Sequence, residues 1–540
     1  MSSYILSLII WMPLLGAFTL LFFNERQTSG IKIVALIFSL IQLLFSIGLV
    51  WRFDPNYGDH LLTSFQFVEK FSWISMSLGS FGSFNIDYHL GVDGMSLWLV
   101  VLSSLITVLG VLASWKLKQQ VRSYFMLYLL LSTSIVGCFL ALDFFLFYLF
   151  FELVLLPMFF LIGLWGGPRR SYASIKFFIY TLVGSLLILV VMIALYLSVG
   201  VLDPTSEMMI HSFNLLHMMD SNYFIEGSSL AKDSVLTFMG MPLRAVAFLA
   251  LFLGFAIKLP IVPFHTWLPD AHVEAATPIS VILAALLLKL GGYGLYRIAF
   301  SIFPDAALHF GYYIAIFGVL AIIYGGLNAM AQNDLKRMIA YSSISHMGFV
   351  LIGLGSFTVE GAAGGMFQMI AHGFISAALF LIVGVLYDRT QNRKIENFSG
   401  LATKLPGYSF VVMIVFFASL GLPGLAGFVG ELLILMGVFN VSAVDGMLPN
   451  WIGIVAVMGL LITAAYYLWT IQRMFLGKYW VRERSWEPKM KDLEIREWLI
   501  FIPLILGIVV LGTYPKVILD TMNHSIELFI AHVGNLKIKP

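Results

Sequence analysis

Apolar residues run along this chain in blocks of about twenty, separated by short polar stretches, and few blocks have a polar face. About 20 apolar residues in a helix cross the ~30 Å hydrocarbon core of a bilayer, so each block reads as a membrane span. Fourteen spans are predicted, at residues 4–23, 31–51, 93–114, 123–141, 144–165, 173–200, 245–270, 277–300, 309–332, 338–355, 361–387, 409–438, 451–474 and 498–518. Most are apolar all round, so periodicity does not say which side meets lipid, and the polar exceptions must be used instead. The first block is long, lacks a basic leader and has no clear small-residue cleavage site, so it reads as a retained span. Two connections are long. Residues 52–92 alternate polar and aromatic positions and predict a hairpin over 64–83; residues 201–244, with Asp203, Glu207, Asp220, Glu226 and Asp233, read as a surface loop.

Composition agrees with a polytopic, all-α membrane protein. Of the 540 residues 60% are hydrophobic and 11% charged, where a soluble chain carries about a quarter charged residues. Lys and Arg (31) nearly balance Asp and Glu (29), so no basic field suggests nucleic acid. A single cysteine, Cys138, excludes a disulfide framework, a Cys-ligated zinc site and a self-contained iron–sulfur cluster. No GxGxxG, GxxxxGK[ST] or GxSxG motif is present, so no cofactor or redox site is predicted on this chain. Such a chain moves something across a membrane and does not transform it.

Charge in the loops gives an orientation. Loops after odd-numbered spans hold 21 Lys and Arg, and those after even-numbered spans hold five: Arg52, Lys70, Lys232, Arg244 and Arg297. By the positive-inside bias the odd loops face the cytoplasm and both termini face the other, outer side of the membrane.

Two spans are interrupted. Span seven reads KLPIVPFHTWLPDAHVEA over 258–275, with Pro260, Pro263 and Pro269; span twelve reads GLPGLAGFVGE over 421–431. Proline removes a backbone donor and clashes with the carbonyl four residues earlier. In lipid the freed groups persist only where protein or water answers them. One such proline is usually a packing kink, but two breaks beside charges point to an ion pathway between repeats. Five spans separate them, and an odd offset inverts orientation. The chain therefore divides into a three-helix segment (1–122), inverted five-helix repeats (123–300 and 301–476), and a loop with a C-terminal helix (477–540). Aligning the two Leu-Pro pairs sets Lys258 against Gly421, so the charges of the two halves do not superpose.

Four ionisable groups remain deep in spans: Glu152, Lys258, Lys289 and Glu431. A charge at mid-membrane costs at least ~2.5 kcal/mol, so each must face a partner or water. A buried acid and base can switch protonation when a neighbouring charge moves, as a proton-loading site requires; the plainer reading is a static ion pair. Asp143, at a span end, is expected to reach water. His346 and His372 extend the series with side chains suited to passing a proton on. His265, Asp270, His272 and Glu274 are spaced like metal ligands, but Pro269 interrupts them and no HExxH is present, so no metal is predicted.

The stretch at 258–275 resembles the antiporter-like membrane subunits of respiratory complex I, the NADH–quinone oxidoreductase. Further stretches resemble its M-chain branch, to which mitochondrial subunit four is related: FFELVLLPMFFLIGLWGGPRR (150–170), ILAALLLKLGGYGLYR (282–297), LKRMIAYSSISHMGFV (335–350) and MIAHGFISAALFLIVGVLYDR (369–389). LGVDGMSLW (90–98) and GLPGLAGFVGE (421–431) fit as well, and the likeness covers roughly 90–480. The chain departs from the common Pro-Thr after HVEA, reading Ala276-Thr277-Pro278-Ile279. The resemblance implies fourteen core helices, two inverted repeats with breaks at spans seven and twelve, and a hydrated axis of Glu152, Lys258, Lys289, His346, His372 and Glu431. It implies that Glu152 and Lys258 form a coupling pair, that Lys289 relays, and that Glu431 leads to the outer exit. FMN, iron–sulfur clusters and quinone are implied in partner subunits, and other membrane-arm chains and the bilayer as partners. Proton translocation driven by electron transfer elsewhere is thus expected; the alternatives are a subunit of a multisubunit cation/proton antiporter and a static scaffold.

Overall fold

The computed structural model describes residues 4–77, 83–202, 209–444 and 448–534. Every predicted span is helical. Among the described residues eleven helices are long and apolar enough to cross a membrane, and Ile5–Leu20, Pro406–Ser419 and Ala426–Val441 supply span one and the two halves of span twelve. Span seven is Leu243–Lys258 followed, after the break, by Trp267–Glu274. Spans eight (Thr277–Phe300), ten (Leu335–Gly355) and eleven (Val359–Thr390) form the centre, almost wholly covered by neighbours, whereas spans two, six and thirteen leave most of their surface to lipid.

The breaks are closed by specific bonds. In span seven Ile261 N donates to Ala256 O at 3.0 Å, and the Trp267 indole donates to the Ile257 carbonyl at 2.9 Å. The chain then runs extended through Ala275 and Ala276, and Pro278 sits in the first turn of the next helix. Proline is accepted there because that amide has no intrahelical partner, so the altered Ala-Thr-Pro order leaves the break intact. In span twelve Leu422 N reaches back to Phe417 O at 3.0 Å, and Gly421 and Gly424 take φ of +80° and +89°. Span eight contains a feature the periodicity did not predict. Two π-helical segments, Leu283–Leu287 and Leu295–Phe300, flank the regular segment Leu288–Gly294 that carries Lys289.

The Lys/Arg-poor face carries most of the differences from expectation. The hairpin exists, but it sits further along the chain: Gln66–Ser77 (β1) pairs antiparallel with Ser83–Val92 (β2). Glu69 of β1 is buried and accepts from Leu6 N at 2.8 Å and from the Ser7 hydroxyl, capping the start of span one. Burial pushes its carboxyl above the usual range. The 201–244 connection is stitched to the molecule and is no free surface loop. Residues 141–143 run between it and β2, through Leu142 N to His89 O (2.8 Å), Phe144 N to Phe213 O (2.8 Å) and Leu215 N to Leu142 O (2.9 Å). Arg244 binds both oxygens of Asp305 at 2.9 Å. Asp203 and Glu207 lie outside the described residues.

Span fourteen ends at Thr513, and an unforeseen helix, Lys516–Gly534, folds back over this face. Its Thr521 hydroxyl accepts from the Trp98 indole at 2.7 Å and its Ser525 hydroxyl from Gly94 N at 3.0 Å. Contact is close enough that a Cβ at Gly94 would lie 2.2 Å from Thr521 O. The amphipathic pattern of this helix is too short and polar to register as a span.

Two charged residues were misplaced by sequence reasoning. Arg297, counted in a loop, lies in the second π segment of span eight, wholly buried and ion-paired with the equally buried Asp93 that caps span three. Its guanidinium sits 4.7 Å from the centre of the Phe65 ring. Asp143, expected to reach water, is 1% exposed. The hairpin and the 201–244 connection cover the span end where it sits, and a hydropathy profile does not register such a cover.

Removing one partner of a buried ion pair strands the other charge, at about 3–5 kcal/mol. Asp93→Ala is therefore expected to lower strongly the amount of folded chain in membranes. Asp93→Ala combined with Arg297→Met should recover most of it, as measured by detergent-extracted monodisperse protein; a double variant no better than the single one would refute the pairing argument.

Candidate polar axis through the membrane

Span eight presents Lys289 to the molecular centre, where the side chain is fully buried. The wide π turn before it leaves the Ala284 carbonyl for the ammonium, 2.7 Å away, and the same Nζ lies 2.7 Å from His372 Nδ1 on span eleven. A contact that short requires one nitrogen to give a proton and the other to accept it, so the two share one proton between them. His372 is followed by His346 of span ten, with ring centroids 5.6 Å apart. His346 Nδ1 lies 3.4 Å from Glu431 Oε1 and 3.3 Å from the Gln368 amide. Four residues that the sequence set apart on four spans thus form one row, from Lys289 to Glu431.

The row has branches. His346 Nε2 lies 3.3 Å from the Ser419 hydroxyl, which donates to Tyr467 at 2.9 Å; Tyr467 meets Ser342 at 3.0 Å, and Tyr466 donates to Ser342 at 2.7 Å. This side chain network leads from His346 toward the Lys/Arg-rich end of span ten. Glu431 leads the other way, just past the break in span twelve. Its carboxylate lies against the joint: a Cβ at Gly421 would come 2.4 Å from Glu431 Oε2. The network residues were not singled out in the sequence, though a signal existed. Ser342 and Gln368 stand four residues before His346 and His372, on the same helix faces.

Glu152 and Lys258 stand apart from this row and are not paired with each other. Lys258 ends the first half of span seven, buried, with Nζ donating to the Phe151 carbonyl at 3.2 Å and lying 3.4 Å from the centre of the Phe151 ring. Glu152 is the next residue, near enough to act on Lys258 through its charge. One of its oxygens is buried without a hydrogen-bond partner, yet the residue as a whole is only half-buried, on a lateral face beside the exposed Leu156 and Phe160.

His272, in the second half of span seven, belongs with the axis although sequence reasoning weighed it only as a metal ligand. It is fully buried, stacked on Phe380 at 4.3 Å, and neither ring nitrogen has a partner. Lys289 and Lys336 are both near enough to act on it electrostatically. Lys336 donates to Ala275 O at 2.6 Å and, with Glu274, lines a cavity of about 360 Å³ on the Lys/Arg-rich face. Of the other members of that quartet, Asp270 is committed to Lys176 at 2.7 Å and Glu274 to Arg169 N at 2.8 Å, while His265 is buried against the Tyr324 ring at 4.9 Å with its Nδ1 unpartnered. Among the described residues no group of three or more His, Cys, Asp or Glu is placed to hold a metal ion.

Residues 141–463 match the family described as NADH:quinone oxidoreductase/Mrp antiporter, TM. NADH-quinone oxidoreductase subunit M of Rhodobacter capsulatus is 39% identical, over 98% of this chain and 98% of its own. A chain of respiratory complex I from Thermus thermophilus with bound NADH superposes with a TM-score of 0.78 at 27% identity, covering 99% of this chain and 100% of that one. A chain of the Mrp complex from Dietzia sp. DQ12-45-1b gives 0.79 at 19% identity, covering 98% and 99%, and shares the fold.

The Gly421 contact is directly testable. Alanine there meets both a strained φ and the Glu431 carboxylate, so a structure of Gly421→Ala is expected to show Glu431 moved beyond ion-pair distance of His346. An unmoved carboxylate would mean that the joint has room to spare.

Proposed function

The chain belongs to the NADH:quinone oxidoreductase/Mrp antiporter transmembrane family, and from that premise we propose that it is a proton-translocating membrane-arm subunit of a bacterial NADH–quinone oxidoreductase. The observation that carries this reading is the row Lys289–His372–His346–Glu431, four ionisable side chains from four spans linked across the core. A static scaffold has no use for such a row, because each member costs desolvation that an apolar side chain would not. The Lys/Arg-rich face is the cytoplasmic one and the termini are periplasmic. FMN, iron–sulfur clusters and quinone belong to partner subunits, and electron transfer there supplies the drive.

On this reading a proton enters from the cavity at Lys336 and Glu274, passes His272 and reaches the Lys289–His372 pair. It continues through His346 to Glu431 and the outer side. The breaks at spans seven and twelve are the corresponding points of inverted repeats over 123–300 and 301–476. Glu152 and Lys258 act as the coupling element. Lys258 rests on the Phe151 carbonyl, one residue from Glu152, so a rotation about its side-chain bonds makes or breaks the ion pair. A half-buried carboxylate on a lateral membrane face is untenable against hydrocarbon, which supports a neighbouring membrane-arm chain covering Glu152. The antiporter alternative draws on the Mrp likeness, but at 19% identity that likeness concerns the fold, whereas the near-full-length relative at 39% bears the oxidoreductase name.

One native gel and three variants bear on this. A native gel of membranes stained for NADH dehydrogenase should carry this chain in the stained band; its migration only with other antiporter chains would favour the alternative. Lys258→Ala, with assembly verified, should sharply lower NADH-driven proton pumping in inverted vesicles. Lys258→Arg keeps the charge but holds its proton, so it should retain pumping if Lys258 only balances Glu152 and behave like Ala if the lysine must release a proton. Glu152→Gln should depress pumping and coupled turnover together. Full activity in all three variants would remove the coupling role.

A further inference from the structure

The site above leaves unused a second group of titratable side chains, where span five begins under the two long periplasmic connections. Asp143 is the N-cap of that span: one carboxylate oxygen accepts from Leu146 N at 3.0 Å and the other from Asp87 N of the hairpin at 3.4 Å. A pocket of about 220 Å³ opens over it, lined among others by Lys70, Asp87, His211, Ser212 and His217. His89 of β2 stands beside the pocket, buried, with its Nδ1 lacking any partner. Nine residues along the same helix, about 13.5 Å at 1.5 Å per residue, stands Glu152.

The groups facing Asp143 do not neutralise it. From the hairpin, Asp87 adds a like charge and is itself paired with Lys70 at 3.2 Å. Burial, then the charge of Lys70, pushes His89 down to about 4, so this imidazole is neutral near pH 7. From the 201–244 connection, Asn214 is uncharged and pairs its backbone with Asp143. His217, also lowered by burial, stacks on Tyr223 at 4.3 Å and meets Ser212 through Nδ1, and His211 turns its Nδ1 to the Val199 carbonyl at 3.3 Å. Span five itself contributes only backbone amides. Desolvation therefore dominates and pushes the Asp143 carboxyl up to about 7.

We propose that Asp143 is a periplasm-facing proton-binding residue that reports the external proton concentration to the helix carrying Glu152. What the signal regulates rests on the reading of this chain as a proton-moving subunit; the proton binding itself does not. As a carboxylate, Asp143 makes a charge-assisted cap aligned with the positive end of the helix dipole. On the acid side of about pH 7 it takes up a proton from the pocket and loses that charge, which weakens the cap and loosens the attachment of span five to the hairpin. Protons accumulated outside by the pump thus act back on the span that holds the coupling carboxylate. Asp143 is a positioning residue here; it does not carry the transported proton.

The test uses the complete complex in proteoliposomes with the NADH site outward. External pH is fixed, the membrane potential collapsed, and the lumen pH preset by trapped buffer. Wild-type initial turnover is expected to fall by roughly two- to threefold between about lumen pH 8 and pH 6, with a midpoint near 7, consistent with the loss of one charge at the positive end of a helix dipole. Asp143→Asn is isosteric with the protonated acid, so its rate should be flat across this range, at the level wild type reaches in acid. Asp143→Glu should restore a titration. Infrared pH-difference spectra of the same samples should contain a carboxyl band titrating near pH 7 that Asp143→Asn lacks, a readout that does not depend on pumping. An Asn variant that follows lumen pH as wild type does, or spectra without such a band, would overturn the proposal. A titrating band with turnover indifferent to lumen pH would refute the regulatory role and leave the polar axis untouched.

Discussion

A charge or an unanswered backbone group facing hydrocarbon costs more than any one contact in this molecule returns, and the architecture follows from that constraint. Lys289, His346 and His372 have been gathered into the centre, where spans eight, ten and eleven are covered by their neighbours. There Lys289 finds both a carbonyl and an imidazole within 2.7 Å. Burial of an ammonium without such partners would be prohibitive; burial with them gives groups whose protonation depends on each other. The constraint that shapes the core also makes it responsive.

The helix irregularities serve the same end. Lys289 reaches a carbonyl because span eight widens into a π segment just before it, and π segments recur at functional positions for this reason. Lys258 sits where span seven stops, and Glu431 lies against the glycine joint of span twelve. Lys289, Lys258 and Glu431 thus each lie beside a local departure from α geometry. A regular helix would direct its backbone polarity entirely to itself.

Outside the core, the Lys/Arg-poor face is closed by pieces of the chain that come from far apart. The hairpin caps span one through Glu69, residues 141–143 run between β2 and the 201–244 connection, and the terminal helix binds spans three and eight. This cover converts Asp143 from a surface residue into a buried one. It also encloses the Asp93–Arg297 pair, which joins the ends of spans three and eight and lies apart from the Lys289 row.

The sequence by itself determined the fourteen spans, the two breaks and the six candidate residues, because each is written in local chemistry: twenty apolar residues, a proline in mid-span, a charge where none is tolerated. It also carried the family resemblance, since the motif residues are contiguous. What only the tertiary structure decided is who meets whom. Lys289 contacts His372, whereas Lys258 rests on a carbonyl beside Glu152 and not on the carboxylate. His272 joins the axis by position alone, since an isolated histidine among apolar residues looks the same whether it packs inertly or stands within electrostatic reach of two lysines. Asp143 and Arg297 were misread for the converse reason: hydropathy measures a residue's own stretch of chain, and burial at a span end is conferred by segments tens to hundreds of residues away.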